Sequence, residues 1–145
     1  MSATAIELLF PDLRATRYRI ASPATPSYNC FAWAGENLRN WWQPMELHGY
    51  YWPADIPAEL TLANLSAVYQ RLGCVCDSTE LARGFEKIAL YVEPDGTPTH
   101  AARQLDSGAW TSKLGELEDI EHSTLACLES LYGKVRQVLK RQRPA

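Results

Sequence analysis

Three short alternating runs joined by two tight-turn signals constrain this chain more than any other feature. Residues 86–93 put Ile88, Leu90 and Val92 on one face, and Pro94-Asp95-Gly96-Thr97-Pro98 then marks a turn. Residues 99–105 predict a second strand, Asp106-Ser107-Gly108 a second turn, and residues 109–114 a third strand. Period-2 patterning broken at Gly and Pro is the signature of an antiparallel meander. Helices are expected on either side of it. Residues 61–73 carry Leu62, Leu65, Val68, Tyr69 and Leu72 on one helical face, with Thr61 as N-cap and Gly73 as stop. Cys74-Val75-Cys76 reads as a short strand with both thiols on one side, and residues 116–121 as an acidic link. A final helix is expected over about 123–141, with Leu125, Leu128, Leu131, Val135 and Val138 on its apolar face and Gly133 as its weak point. Elements that segregate in this way, instead of alternating, predict the α+β class.

The 145 residues fit a single domain, with residues 1–27 as a short apolar element and Pro-broken lead-in, and residues 28–141 as core. Apolar residues at 46% and charged residues at 21% exclude global disorder and collagen-like repeats. A net charge of −3 predicts no nucleic-acid partner. The basic run Lys134, Arg136, Lys140, Arg141 and Arg143 is read as complementing a helix end. No apolar run reaches 18 residues, so no membrane span is expected. The first residues lack a signal peptide's charged start and long apolar run, so a cytoplasmic location is expected.

Cys30 is the first candidate for chemistry. Asn29 is a good N-cap, which places Cys30 in a first helical turn, where free N–H groups lower a thiol's pKa. The bland alternative is a small buried hydrophobe flanked by Phe31 and Trp33. His100 is the second candidate. It opens the middle strand of the meander on a small, polar face with Ala102 and Gln104. His48 reads as a surface residue, and His122 as lying beside the start of the last helix. The hairpin brings Ser112, Glu116 and Asp119 toward the His100 end, and sequence alone does not choose among them as the group that orients an imidazole. Arg103 and Lys113 read as the solvent face of the meander, or else as substrate-facing. The four cysteines and three histidines show no zinc-ligand spacing, and no phosphate loop or dinucleotide fingerprint occurs, so no metal and no cofactor are expected.

Eight of the fifteen aromatic residues fall between positions 28 and 53. Such rings dominate core burial, and they also line grooves. Both readings apply here, with Trp41, Trp42, Tyr51 and Trp52 as the candidate walls, and Gln104 beside them.

A Cys at a helix start, a His opening a meander strand about 70 residues later and a polar residue beyond it resemble papain-like cysteine peptidases, the NlpC-like amidases among them. Asn29-Cys30 is similar to the Asp/Asn-Cys start of the NlpC motif. The whole chain more closely resembles an uncharacterised bacterial domain family of unknown function. The shared words are NCFAWA at 29–34, WWQP at 41–44, YWP at 51–53, EKIALY at 86–91, HAARQ at 100–104, WTSKLG at 110–115 and DIEH at 119–122. The peptidase resemblance implies a papain-like core, with a Cys-bearing N-terminal helix, a three-stranded meander and a C-terminal helix. It implies a cysteine hydrolase acting on a peptide or amide, with Cys30 as nucleophile, His100 as base, and Asp119, or else Glu116, as orienting carboxylate. The Gln that papain-type enzymes carry upstream of the Cys is absent from residues 1–29, so Tyr28 or Asn29 would join the Cys30 N–H at the oxyanion. The alternative is a non-catalytic module that binds a protein partner through the aromatic groove.

Overall fold

The protein is described by a computed structural model covering residues 3–45, 49–76 and 82–143. His48 and its two preceding neighbours in the aromatic loop lie outside the described residues. Helix α1 (Ala3–Leu9), a 3-10 turn (Pro11–Ala15) and strand β1 (Tyr18–Ser22) come first. Helix α2 (Cys30–Ala34), β2 (Trp41–Trp42), β3 (Tyr50–Tyr51), α3 (Leu62–Gln70) and β4 (Val75–Cys76) follow. Then come β5 (Phe85–Val92), β6 (Pro98–Gln104), β7 (Trp110–Lys113) and β8 (Asp119–His122). A 3-10 turn (Ala126–Leu128), α4 (Glu129–Tyr132) and β9 (Lys134–Gln142) complete the order. The class is α+β.

Seven strands form one antiparallel sheet in the order β1-β8-β7-β6-β5-β9-β4. The meander β5-β6-β7 occupies its middle, within two residues of the predicted bounds. Apolar layers cover both faces. Ile88, Leu90, Ala101 and Leu139 pack on the side of α2 and α3, with Phe31, Leu65 and Tyr69. Ala89, Tyr91, Ala102 and Val138 pack on the side of α1, the 3-10 turns and α4, with Ile6, Phe10 and Leu128. Central β5 is therefore buried along nearly its whole length, the charged Glu86 and Lys87 included. Helix α3 forms where its pattern and cap predict: Thr61 Oγ1 accepts from Asn64 N at 3.1 Å.

Three expectations are corrected. The final helix over 123–141 is not formed. Its first part is only the 3-10 turn and α4, and Lys134–Gln142 is a strand paired along β5 from Phe85↔Gln142 to Val92↔Lys134. Gly133 explains the switch. Its φ is +89°, and a Cβ there would stand 2.1 Å from the Val92 carbonyl oxygen. The chain leaves helix at that residue because only glycine fits against β5. After it, Gln137 and Leu139 lie opposite Leu90 and Ile88, while Val138 lies opposite Ala89 on the other face. That period-2 division overrides the leucine spacing that suggested a helix. The acidic link is strand β8, and the lead-in contains edge strand β1, paired through Tyr18↔His122 and Ile20↔Ile120. The side chain of Cys76 lies outside the described residues, so its predicted alignment with Cys74 does too.

One irregularity positions the site. β6 pairs with β7 only through Arg103↔Thr111 and Gln104↔Trp110. Beyond that point β6 continues with β5 as far as Pro98, and β7 continues with β8 as far as Lys113↔Asp119. The two strands part, and α2 packs on both of them.

Candidate functional site

Asn29 starts α2 and ties it to the aromatic loop. Its Oδ1 accepts from Ala32 N at 3.0 Å and from Trp42 N at 3.1 Å, and its Nδ2 donates to the Trp42 carbonyl at 3.3 Å. The buried Tyr69 hydroxyl donates to the Phe31 carbonyl at 2.7 Å, and Trp33 Nε1 donates to Thr111 Oγ1 at 3.0 Å. These bonds hold the short helix on β6 and β7, with Cys30 as its first residue.

Cys30 is buried, and burial pushes its thiol up to about 12. Backbone N–H groups of Ala101, Phe31 and Cys30 itself bear on the sulfur and oppose that rise, as does the nearby Lys113 ammonium. At rest the thiol is neutral. Ala101 follows His100 in β6, so the backbone of one faces the sulfur while strand alternation turns the imidazole of the other to the opposite face of the sheet.

His100 is completely buried, and neither ring nitrogen has a hydrogen-bond partner. Burial, and secondarily His122, hold its pKa well below the usual histidine range. Its ring stacks on Tyr132, with centroids 4.1 Å apart and planes 3° apart, and meets Tyr91 edge-on at 5.2 Å. Those contacts put the ring on the α4 side of the sheet, whereas Cys30 belongs to the α2 side. Tyr132, on the α4 side, has its phenol pKa raised, first by burial and secondarily by the Cys30 thiol. No hydrogen bond joins Cys30 to His100 in this structure.

The predicted orienting carboxylates are not brought to His100. Asp119 accepts from the Tyr28 hydroxyl at 3.3 Å and lies opposite Lys113 in the β7–β8 ladder; burial raises its pKa. Glu116 is exposed and lines a surface hollow. The reason is the alternation of the strands, which turns position 119 toward α2 and position 100 away from it. The predicted oxyanion side chains are also committed elsewhere, Asn29 to the cap and to Trp42, Tyr28 to Asp119 and to a stack on Trp33 at 5.5 Å. The remaining donors at Cys30 are backbone N–H groups.

Arg103 and Lys113 do not face solvent. The Arg103 guanidinium lies over Trp33 at 5.6 Å. Lys113 is fully buried, donates to the carbonyls of Thr25 at 2.8 Å and Gly115 at 2.5 Å, and sits 5.3 Å from the Tyr28 ring centroid. Burial lowers its pKa against the pull of Asp119 and Cys30. Lys113 thereby fastens the lead-in across the start of α2.

The aromatic loop divides between core and surface. Trp42 is core, tilted on Tyr69 at 5.6 Å, and lies so close to Gly35 that a Cβ there would meet its ring at 2.3 Å. Gln104 is also buried, on the other side of the sheet beside Trp110, and is not part of a groove. Trp41, which donates to the Pro26 carbonyl, joins Pro26, Ser27, Arg39, Tyr50 and Glu116 around a hollow of about 510 Å³. Tyr50 also borders a second hollow of about 370 Å³ with Pro44, Met45, Trp52 and Ile56. Tyr51 is exposed beside them.

Two groups escaped the sequence reading. Tyr132 falls inside the helix expected over about 123–141, and His122 reads as lying beside its start. His122 instead ends β8, buried. Its Nδ1–H donates to the Thr124 carbonyl at 2.8 Å, and its Nε2 accepts from the Ser112 hydroxyl at 2.8 Å. The only available signal was the alternation of residues 119–122, read there as an acidic link.

Residues 19–140 match the family model described as "Domain of unknown function (DUF7689)", and the chain belongs to that family. No curated protein and no solved structure matches it. No helix among the described residues is long and apolar enough to cross a membrane.

Proposed function

We propose that this member of the DUF7689 family is a cysteine-dependent hydrolase of amides or esters, built on a papain-like or NlpC-like arrangement, with Cys30 as nucleophile and His100 as base. One observation carries the reading. His100 is wholly buried with both nitrogens unpartnered, beside the residue whose N–H bears on the Cys30 sulfur. An unpaired buried donor or acceptor costs about 1–3 kcal/mol, so a fold retains one where function needs it. Catalytic hydrogen bonds are often long in an empty site and tighten with substrate.

The chemistry follows from these groups. His100 takes the thiol proton, and the Cys30 thiolate attacks the carbonyl carbon. The N–H groups turned to the sulfur stabilise negative charge there. The intermediate expels its amine or alcohol, which leaves with the proton from His100, and a thioester remains on Cys30. Water then attacks the thioester, gives its proton to His100, and releases the acid. Proton transfer from His100 to the departing sulfur restores the thiol. The hollow bounded by Trp41, Tyr50 and Ser27, the last of them three residues upstream of the nucleophile, takes part of the substrate.

The test is iodoacetamide alkylation across pH, read site by site by mass spectrometry. Cys30 is expected to react faster than Cys74 and Cys127. His100→Ala is expected to slow it at neutral pH by about a hundredfold or more, the lower end of what a positioned base supplies. A Cys30 indifferent to His100→Ala overturns the reading.

A second reading is a non-catalytic binding module. The two hollows that share Tyr50, with Trp41, Trp52 and Met45 at their rims, favour it. An inert Cys30, together with peptide or protein binding that Tyr50→Ala abolishes, would select this reading.

A further inference from the structure

We infer that Tyr132 is the positioning residue of His100: its ring, lying flush on the imidazole, fixes the plane in which the base meets Cys30. This deepens the hydrolase reading and rests on it. In a Cys-His-Asp arrangement a carboxylate accepts the imidazole N–H and sets its angle. Here no acceptor does so, and Asp119 is engaged with Tyr28. Orientation comes from packing. With planes 3° apart at 4.1 Å, any rotation of the imidazole out of its plane drives it into the phenol. Tyr91 closes a second side edge-on, and is itself held by its hydroxyl on the Leu125 carbonyl at 2.7 Å.

Tyr132 is in turn delivered by backbone. Its carbonyl accepts from Thr99 Oγ1, in the residue before His100. Gly133 lets the end of α4 press against Val92, a position closed to any residue with a Cβ. The groups facing His100 are therefore Tyr91, Tyr132 and, at longer range, His122, with no carboxylate among them. The stack has a second consequence. When His100 takes the Cys30 proton it becomes a cation over an electron-rich ring, and that contact favours the imidazolium.

The test measures Cys30 alkylation rate against pH, and the His100 imidazole titration by nitrogen NMR, in wild type, Tyr132→Phe, Tyr132→Leu and His100→Ala. Tyr132→Phe keeps the flat ring, and is expected to keep both profiles. Tyr132→Leu is expected to lower the Cys30 rate about five- to tenfold, the scale of an aromatic contact, and to shift the His100 midpoint. Should Tyr132→Leu fail to fold, Tyr132→Met fills the space without a flat face. If His100→Ala slows Cys30 and the Leu and Met variants do not, the positioning role is overturned and the hydrolase reading stands. If His100→Ala has no effect, both fall.

Discussion

Two histidines on the same side of one sheet have opposite fates. His122 is buried, and both its nitrogens are satisfied, one by Ser112 and one by the Thr124 carbonyl. His100 is buried as deeply, and neither nitrogen is satisfied. Burial lowers both pKa values. The difference lies in compensation. A hydrogen-bonded buried imidazole stabilises its fold, whereas one held only by flat rings keeps two nitrogens free for another partner. Burial alone therefore does not separate structure from chemistry here; the bonding of the ring does.

The largest effect that sharpens this contrast is on pH. The unfolded chain protonates His122 near 6.5, while the folded chain resists to about 4. Stability contributed by the neutral ring is intact above the unfolded value and is lost as pH falls through that window, by about 3 kcal/mol at its lower end. Urea unfolding at several pH values checks it, and a flat profile would break the premise that the buried ring stays neutral. Next, His122→Leu strands the Ser112 hydroxyl and is expected to cost about 2–3 kcal/mol while reducing that pH dependence to the share that buried His100 contributes. Asn29→Ala removes the α2 cap, and should cost about 1–2 kcal/mol by thermal or chemical unfolding. The smallest effect is the most telling. His100→Leu replaces an unsatisfied ring with an apolar side chain, and should leave stability within about 1 kcal/mol of wild type while Cys30 loses its reactivity. A His100→Leu protein as unstable as His122→Leu would erase the distinction.

The sequence reading succeeded where local rules decide and failed where long-range packing does. The meander was legible because Gly96 and Gly108 close turns between period-2 runs. Helix α3 was legible from Thr61 and its apolar face. β9 was not, because Leu128, Leu131, Val135 and Val138 imitate a helical stripe, and the decisive clash of Gly133 with Val92 involves a strand some forty residues away. β8 looked like a link since Asp119 within it and Glu118 just before it are acids buried against expectation. The helix start at Cys30 and the strand that carries His100 were legible from the cap and the turn. Asp119 could not be placed, because its side of the sheet depends on the β7–β8 register. The stack of Tyr132 on His100 was out of reach while its segment read as a continuous helix.

The pairing of β9 along β5 also sets a timetable. Residue 92 waits for residue 134, and residue 85 for residue 142. During synthesis β5, β6 and β7 emerge first, yet one long edge of β5 stays open until most of the later residues have left the ribosome. Closing so long a loop is entropically slow, and contacts this remote place folding in the millisecond-to-second range, on the order expected for non-local sheets. Until β9 arrives, the nascent chain exposes the hydrogen-bonding edge of its most apolar strand, and that interval is when it most needs a chaperone.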